Sequence, residues 1–251
     1  MQKIITITIT LALALGLASS VQAKRGSDGQ LNLLYWQAPS TMNPNLSGGT
    51  KELEASSVVL EPLARYDEKG NMLPWLAEEI PTVENGGVSK DLTSITWKIK
   101  KGIKWSDGSA LTADDAVFTY EYCTNPDTGC TSTNYYKDIQ SVKAIGSNTV
   151  KIQFTVPKPF PYATFVGYNS PILQKAQFDG CQGAKAQECT KQNFYPIGTG
   201  PFKVVDFKPN DVIVFEANPN YRDASKPAFK KLVLKGGGDA TSAARAVLET
   251  G

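Results

Sequence analysis

The 251-residue chain contains no histidine. That removes at once the commonest general base, the usual middle member of a nucleophilic triad and the commonest zinc ligand. Acid–base chemistry would have to come from adjacent carboxylates, Glu78-Glu79 or Asp114-Asp115. Adjacent residues on a helix do not face one another, so neither pair can flank a scissile bond as an acid and a base must. They read instead as a helix-start charge and a solvated surface. An exported glycosidase or peptidase would need a nucleophile or a metal in a cleft, and no spacing here supplies either. No catalytic residue, metal ligand set or cofactor is expected.

The four cysteines form two close pairs, Cys123 with Cys130 and Cys181 with Cys189. Three connectivities are possible, and local pairing is favoured; each bridge would close a short loop worth roughly 2.5 kcal/mol on the loop-entropy model. A zinc site is the competing use, but the spacings are not those of a zinc knuckle.

An oxidising compartment is also what the N-terminus implies. Lys3 precedes an uncharged apolar run, Ile4 to Leu17, that ends in the small residues before Lys24. This has the form of a secretory leader, residues 1–23, cleaved after Ala23. The run is about fourteen residues, short of the roughly twenty that cross a bilayer, so no stable membrane insertion is expected. No cysteine stands at the cleavage point to carry a lipid. Without Lys3, 25 basic residues face 24 acidic ones, a balance that steers toward neither nucleic acid nor membrane. The expected location is the periplasm.

Several elements are legible. Leu31 to Trp36 reads as a buried strand feeding the turn-rich stretch Gln37 to Gly49. From Thr50, a candidate cap, Leu53, Val58, Leu60 and Leu63 suggest a helix stopping near Glu61-Pro62. Ile95, Trp97 and Ile99 alternate with Thr96, Lys98 and Lys100 as in a half-buried strand. Thr112-Ala113-Asp114-Asp115 resembles a capping box opening a helix to about Tyr122. Ile139 to Ile145 and Val150 to Phe154 read as a hairpin across Gly146-Ser147-Asn148, and Pro157 to Pro171 as an irregular aromatic segment. Phe202 to Phe207 and Val212 to Phe215 flank the turn Pro209-Asn210-Asp211. Leu232 to Leu234 is a short buried strand, and Asp239 a cap for a helix over 240–249. The mixture predicts α/β architecture.

An ordered run then stands out: Leu76-Ala77-Glu78, Thr96-Trp97-Lys98-Ile99, Lys104-Trp105-Ser106-Asp107-Gly108-Ser109, and Leu111 through Phe118. Met42-Asn43-Pro44, Pro196-Ile197-Gly198-Thr199-Gly200-Pro201-Phe202 and Asn218-Pro219-Asn220-Tyr221 agree with it. Together these resemble the bacterial solute-binding proteins of family 5, the oligopeptide, dipeptide and nickel receptors of ABC importers. The resemblance implies a periplasmic-binding-protein-like fold (type II, cluster C) with two lobes and an inserted subdomain. It places residues 24–60 and 175–251 in lobe one and 61–174 in the subdomain. Family members run to about twice this span, so the expectation is that the second lobe, with the acid that holds a peptide's amino terminus, is missing from this chain.

The implied function is delivery of a small solute, a peptide foremost, to permease subunits; opines, sugar conjugates and metal chelates are carried by other members. By position, Gly48, Gly49 and Thr50 match the segment whose backbone meets an extended peptide, and glycine permits that approach. Tyr135 and Tyr136 match the region that sets a tyrosine against the ligand, and Tyr168 and Asn169 a segment lining the cleft. Trp36 to Pro39 are added because ligands of open α/β sheets gather beyond the carboxyl ends of strands. The Trp105-Ser106-Asp107-Gly108 turn is expected to be architectural.

Overall fold

The computed structural model describes residues 29–236, together with Thr241, Arg245 and Leu248. The expected leader and Asp239 lie outside the described residues; the three isolated positions beyond are helical and exposed.

Among the described residues, two sheets carry most of the core. The first is built from both ends of the chain, in the order β1 (Gln30–Tyr35), β9 (Lys231–Gly236), β8 (Val212–Ala217), β7 (Phe202–Lys208). β1 runs parallel to β9, with Leu33 opposite Leu234, whereas β7–β8–β9 is an antiparallel meander in which Phe215 faces Leu232 and Ile213 faces Leu234. The second sheet is local, in the order β4 (Ser94–Lys98), β6 (Thr149–Phe154), β5 (Ile139–Ile145). Ile95 and Trp97 lie opposite Ile152 and Val150, and all four are fully buried, as their alternation predicts. A short ribbon, β2 (Ala64–Tyr66) with β3 (Met72–Pro74), sits between them in sequence.

The principal helix, α2 (Ala113–Thr124), packs on β5 and β6. Its capping box closes through Asp115 Oδ2, which accepts the Thr112 N–H at 2.9 Å. Phe118, Tyr122 and Cys123 turn into the core. Two short helices, α3 (Lys175–Phe178) and α4 (Thr190–Phe194), flank the second cysteine pair. Both local disulfides form, with Cα separations of 5.1 Å for Cys123–Cys130 and 5.8 Å for Cys181–Cys189.

Two expectations are corrected. α1 is only Thr50–Ser56 and its N-cap is Gly49, not Thr50. It ends five residues before Glu61 because the following carbonyls are claimed by other partners: Val58 O accepts from Phe202 N–H at 3.1 Å and Val59 O from Gly200 N–H at 2.8 Å, while Pro62 disfavours helix at Glu61. β1 is not buried either. Asn32, Leu33 and Leu34 are exposed, since β1 is an edge strand.

The shared motifs tie distant segments together. Gly108 turns the chain at φ +91; Asp107 accepts from Ser109 N–H and from Gln174 Nε2, both at 2.9 Å; Ser106 N–H donates to Gly198 O at 2.9 Å; and Asn220 Nδ2 donates to Ser106 O at 3.1 Å. Gly198 and Gly200 pass so close to the turn that follows α1 that a Cβ would stand 1.9 Å from Val59 O and 2.5 Å from Val58 O. Buried Asn43 donates to Tyr122 Oη at 3.2 Å and to Asn193 Oδ1 at 2.9 Å, pinning the first loop to α2 and α4.

Candidate ligand cleft

Where α1, β2 and the aromatic segment meet, the surface opens into a cleft of about 590 Å³. α1 contributes Glu54 and its C-cap Ser57, β2 contributes Arg65 and Tyr66, and Tyr135, Phe160, Tyr162 and Tyr168 add aromatic rings to the wall. A second hollow of about 250 Å³, lined by Gly48, Thr131, Asn134 and others, shares Tyr135 and Asn169 with the first. Of the sequence-derived candidates, Gly48, Tyr135, Tyr168 and Asn169 therefore meet around adjoining hollows.

The strap that carries Tyr168 and Asn169 is held in a conformation that side chains rarely adopt. Phe165 has φ +61 and is fully buried. Its N–H donates to Ser170 Oγ at 2.9 Å, and Gly167 N–H, at φ +75, donates to Ala64 O at 2.9 Å. Left-handed backbone at a bulky residue persists only where surroundings over-determine it. Thr164 Oγ1 donates to Tyr135 O at 2.6 Å, anchoring the neighbouring wall.

The remaining candidates sit elsewhere. Tyr136 is buried in the core, its ring edge-on to Phe165 at 6.0 Å and its hydroxyl 3.3 Å from Ser170 Oγ. Burial pushes its pKa up to about 12 against the pull of Ser170. Gly49 opens α1, and a Cβ there would lie 2.3 Å from Glu52 Oε2; Glu52 is buried and accepts from Ser40 N–H and Oγ, each at 2.9 Å. Thr50 is exposed and lines neither hollow. Trp36 and Gln37 are exposed, while Ala38 and Pro39 are buried. The acid pairs are structural: Glu78 and Glu79 are exposed, and Asp115 accepts from Thr112 and Lys175 N–H groups, with burial raising its pKa above the usual carboxylate value.

Sequence reasoning missed a polar cluster beside the cleft. Glu61 is buried and accepts from Arg222 Nη1 and Nη2 at 2.6 and 3.2 Å, Thr199 Oγ1 at 2.8 Å and Trp75 Nε1 at 2.6 Å. The guanidinium of Arg65 lies 4.6 Å from the Trp75 ring centre. These residues come from positions 61 to 222, so no local spacing announces them.

The cleft thus joins aromatic rings to one guanidinium and one carboxylate, those of Arg65 and Glu54. A model of the family described as bacterial extracellular solute-binding proteins, family 5, matches residues 71–251, and the chain belongs to that family. It is 25% identical to the oligopeptide-binding protein OppA of Bacillus subtilis over 91% of this chain and 43% of that protein. It is 30% identical to the dipeptide-binding protein of Escherichia coli, over 87% of this chain and 42% of that one. Among solved structures, the oligopeptide-binding protein AppA of Bacillus subtilis, in complex with a nonapeptide, superposes with a TM-score of 0.77 at 28% identity, covering 87% of this chain and 42% of AppA. The α/β fold is that of the periplasmic peptide-binding proteins, and the chain spans less than half the length of these relatives.

Proposed function

We propose that the chain is the ligand-contacting portion of a periplasmic receptor that binds peptides or peptide-like solutes and delivers them to the permease subunits of an ABC importer. The observation that carries this reading is the gathering of Gly48, Tyr135, Tyr168 and Asn169 around adjoining hollows. Tyrosine faces with polar tips accommodate side chains of varied shape, and Gly48 leaves room for an extended backbone to approach. The oligopeptide and dipeptide specificity in the relatives' names supports peptides over other solutes.

In this reading residues 1–23 are a cleaved leader, 24–60 and 175–251 form lobe one, and 61–174 form the inserted subdomain. A facing lobe, in the length by which relatives exceed this chain, closes over the ligand and expels water. The protein binds its solute and does not transform it. Mass spectrometry of the copurified solute, followed by calorimetric titration with a panel of short peptides, tests this. Saturable binding with peptides recovered intact is expected. Selective recovery of an opine, a sugar conjugate or a metal chelate, or peptide turnover above background, would overturn it.

A further inference from the structure

Three cations surround one carboxylate beside the cleft. Arg222 binds Glu61 through both nitrogens, and Thr199 and Trp75 take its remaining lone pairs. Lys100 Nζ donates to Trp75 O at 2.9 Å. Arg65 is left over. It donates from Nη2 to Ser57 O at 2.8 Å, its buried Nε has no hydrogen-bond partner, and among the described residues it forms no ion pair. Burial is the largest influence on its pKa and lowers it; Glu61 opposes that shift and Arg222 adds to it. Unlike Arg222, Arg65 lines the cleft, together with Tyr66, Phe160, Tyr162 and Tyr168. Glu54, the acid of the same wall, is exposed and accepts from the Tyr35 hydroxyl.

A largely buried guanidinium without its own carboxylate is costly until an anion meets it. Its planar fork matches a carboxylate with two parallel hydrogen bonds. We infer that Arg65 is the docking point for a carboxylate of the solute, and that the ring-lined cleft beside it takes an apolar or aromatic group attached to that carboxylate. The inference rests on reading the cleft as a solute site, but not on the solute being a peptide.

The test is calorimetric titration of the protein with N-acetylphenylalanine and its amide, and with the amides of N-acetyl-glutamyl-phenylalanine and N-acetyl-glutaminyl-phenylalanine. In at least one pair the acid should bind about tenfold or more tightly than its neutral analogue, as a charge-assisted pair requires. The first pair responds to a terminal carboxylate, the second to an acidic side chain. Arg65→Gln should abolish the preference and Arg65→Lys should keep part of it. If Arg65→Gln does not fold, the wild-type preference and its partial retention in Arg65→Lys decide. Equal binding of acid and neutral analogue in both pairs, no binding of any probe, or a preference that survives Arg65→Gln would overturn the inference. Peptides that bind without a carboxylate preference would sink this inference alone; acid probes that bind with preference where no peptide does would sink only the peptide reading.

Discussion

Burial separates tyrosines that differ little in sequence context. Tyr135 stands half-buried at the wall of the cleft, and its neighbour Tyr136 is in the core. Burial raises Tyr136 and Tyr122 to about 12, with hydrogen bonds from Ser170 and Asn43 pulling the other way. Both folded values lie above the ordinary 10.0, so the neutral rings contribute stability that is complete below pH 10.0 and is lost as pH rises toward 12. Each should be worth about 3 kcal/mol across that window. Ultraviolet titration of tyrosinate should show two rings resisting ionisation until the protein unfolds; all ten tyrosines titrating together in the folded state would contradict it. Glu61 gives a second prediction at this scale. Glu61→Ala strands Arg222, Thr199 and Trp75 without an acceptor and should cost about 3–5 kcal/mol in urea unfolding. A loss below about 1 kcal/mol would mean that water satisfies the cluster.

At the scale of elements, the joints between segments matter more than the segments. Gly198 lies against the Val59 carbonyl where no Cβ fits, whereas around Gly180 nothing lies within 4 Å. Gly198→Ala should therefore destabilise by more than about 2 kcal/mol, and Gly180→Ala by less than about 0.5 kcal/mol. Comparable denaturant midpoints for the two would refute the close approach. The bridge Cys181–Cys189 closes the loop between α3 and α4, whose Asn193 holds Asn43. Replacing both cysteines with serine should cost about 2–3 kcal/mol, with peptide mapping without reduction of the unaltered protein recovering the two local bridges.

For the whole molecule, the largest consequence is an open edge. Among the described residues β1 pairs only with β9, and Leu33, Leu34 and Trp36 are 42%, 40% and 48% exposed. A strand edge with apolar side chains recruits other chains. The chain from Lys24 onward, without the leader, should self-associate with rising concentration in sedimentation velocity, and Leu34→Lys should suppress this. A wild-type chain that stays monomeric at high concentration would show that the edge is protected by other means.

What the sequence determined by itself is the local grammar. Alternation placed β4 and β6, Thr112 to Asp115 placed the start of α2, and cysteine spacing indicated the two bridges, because each depends on residues a few positions apart. The ordered motifs indicated the family, and with it the α/β fold. Tertiary structure decided everything that depends on who lies opposite. It ended α1 at Ser56 by giving the Val58 and Val59 carbonyls other hydrogen-bond partners. It left β1 exposed because a strand's burial is set by its neighbours, not by its own leucines. It sent Tyr136 inward and Tyr135 to the cleft, and it brought Glu61, Arg65, Trp75, Lys100 and Arg222 together. Charges and rings drawn from positions 61 to 222 acquire their chemistry from desolvation and mutual approach, and both exist only once the chain has folded.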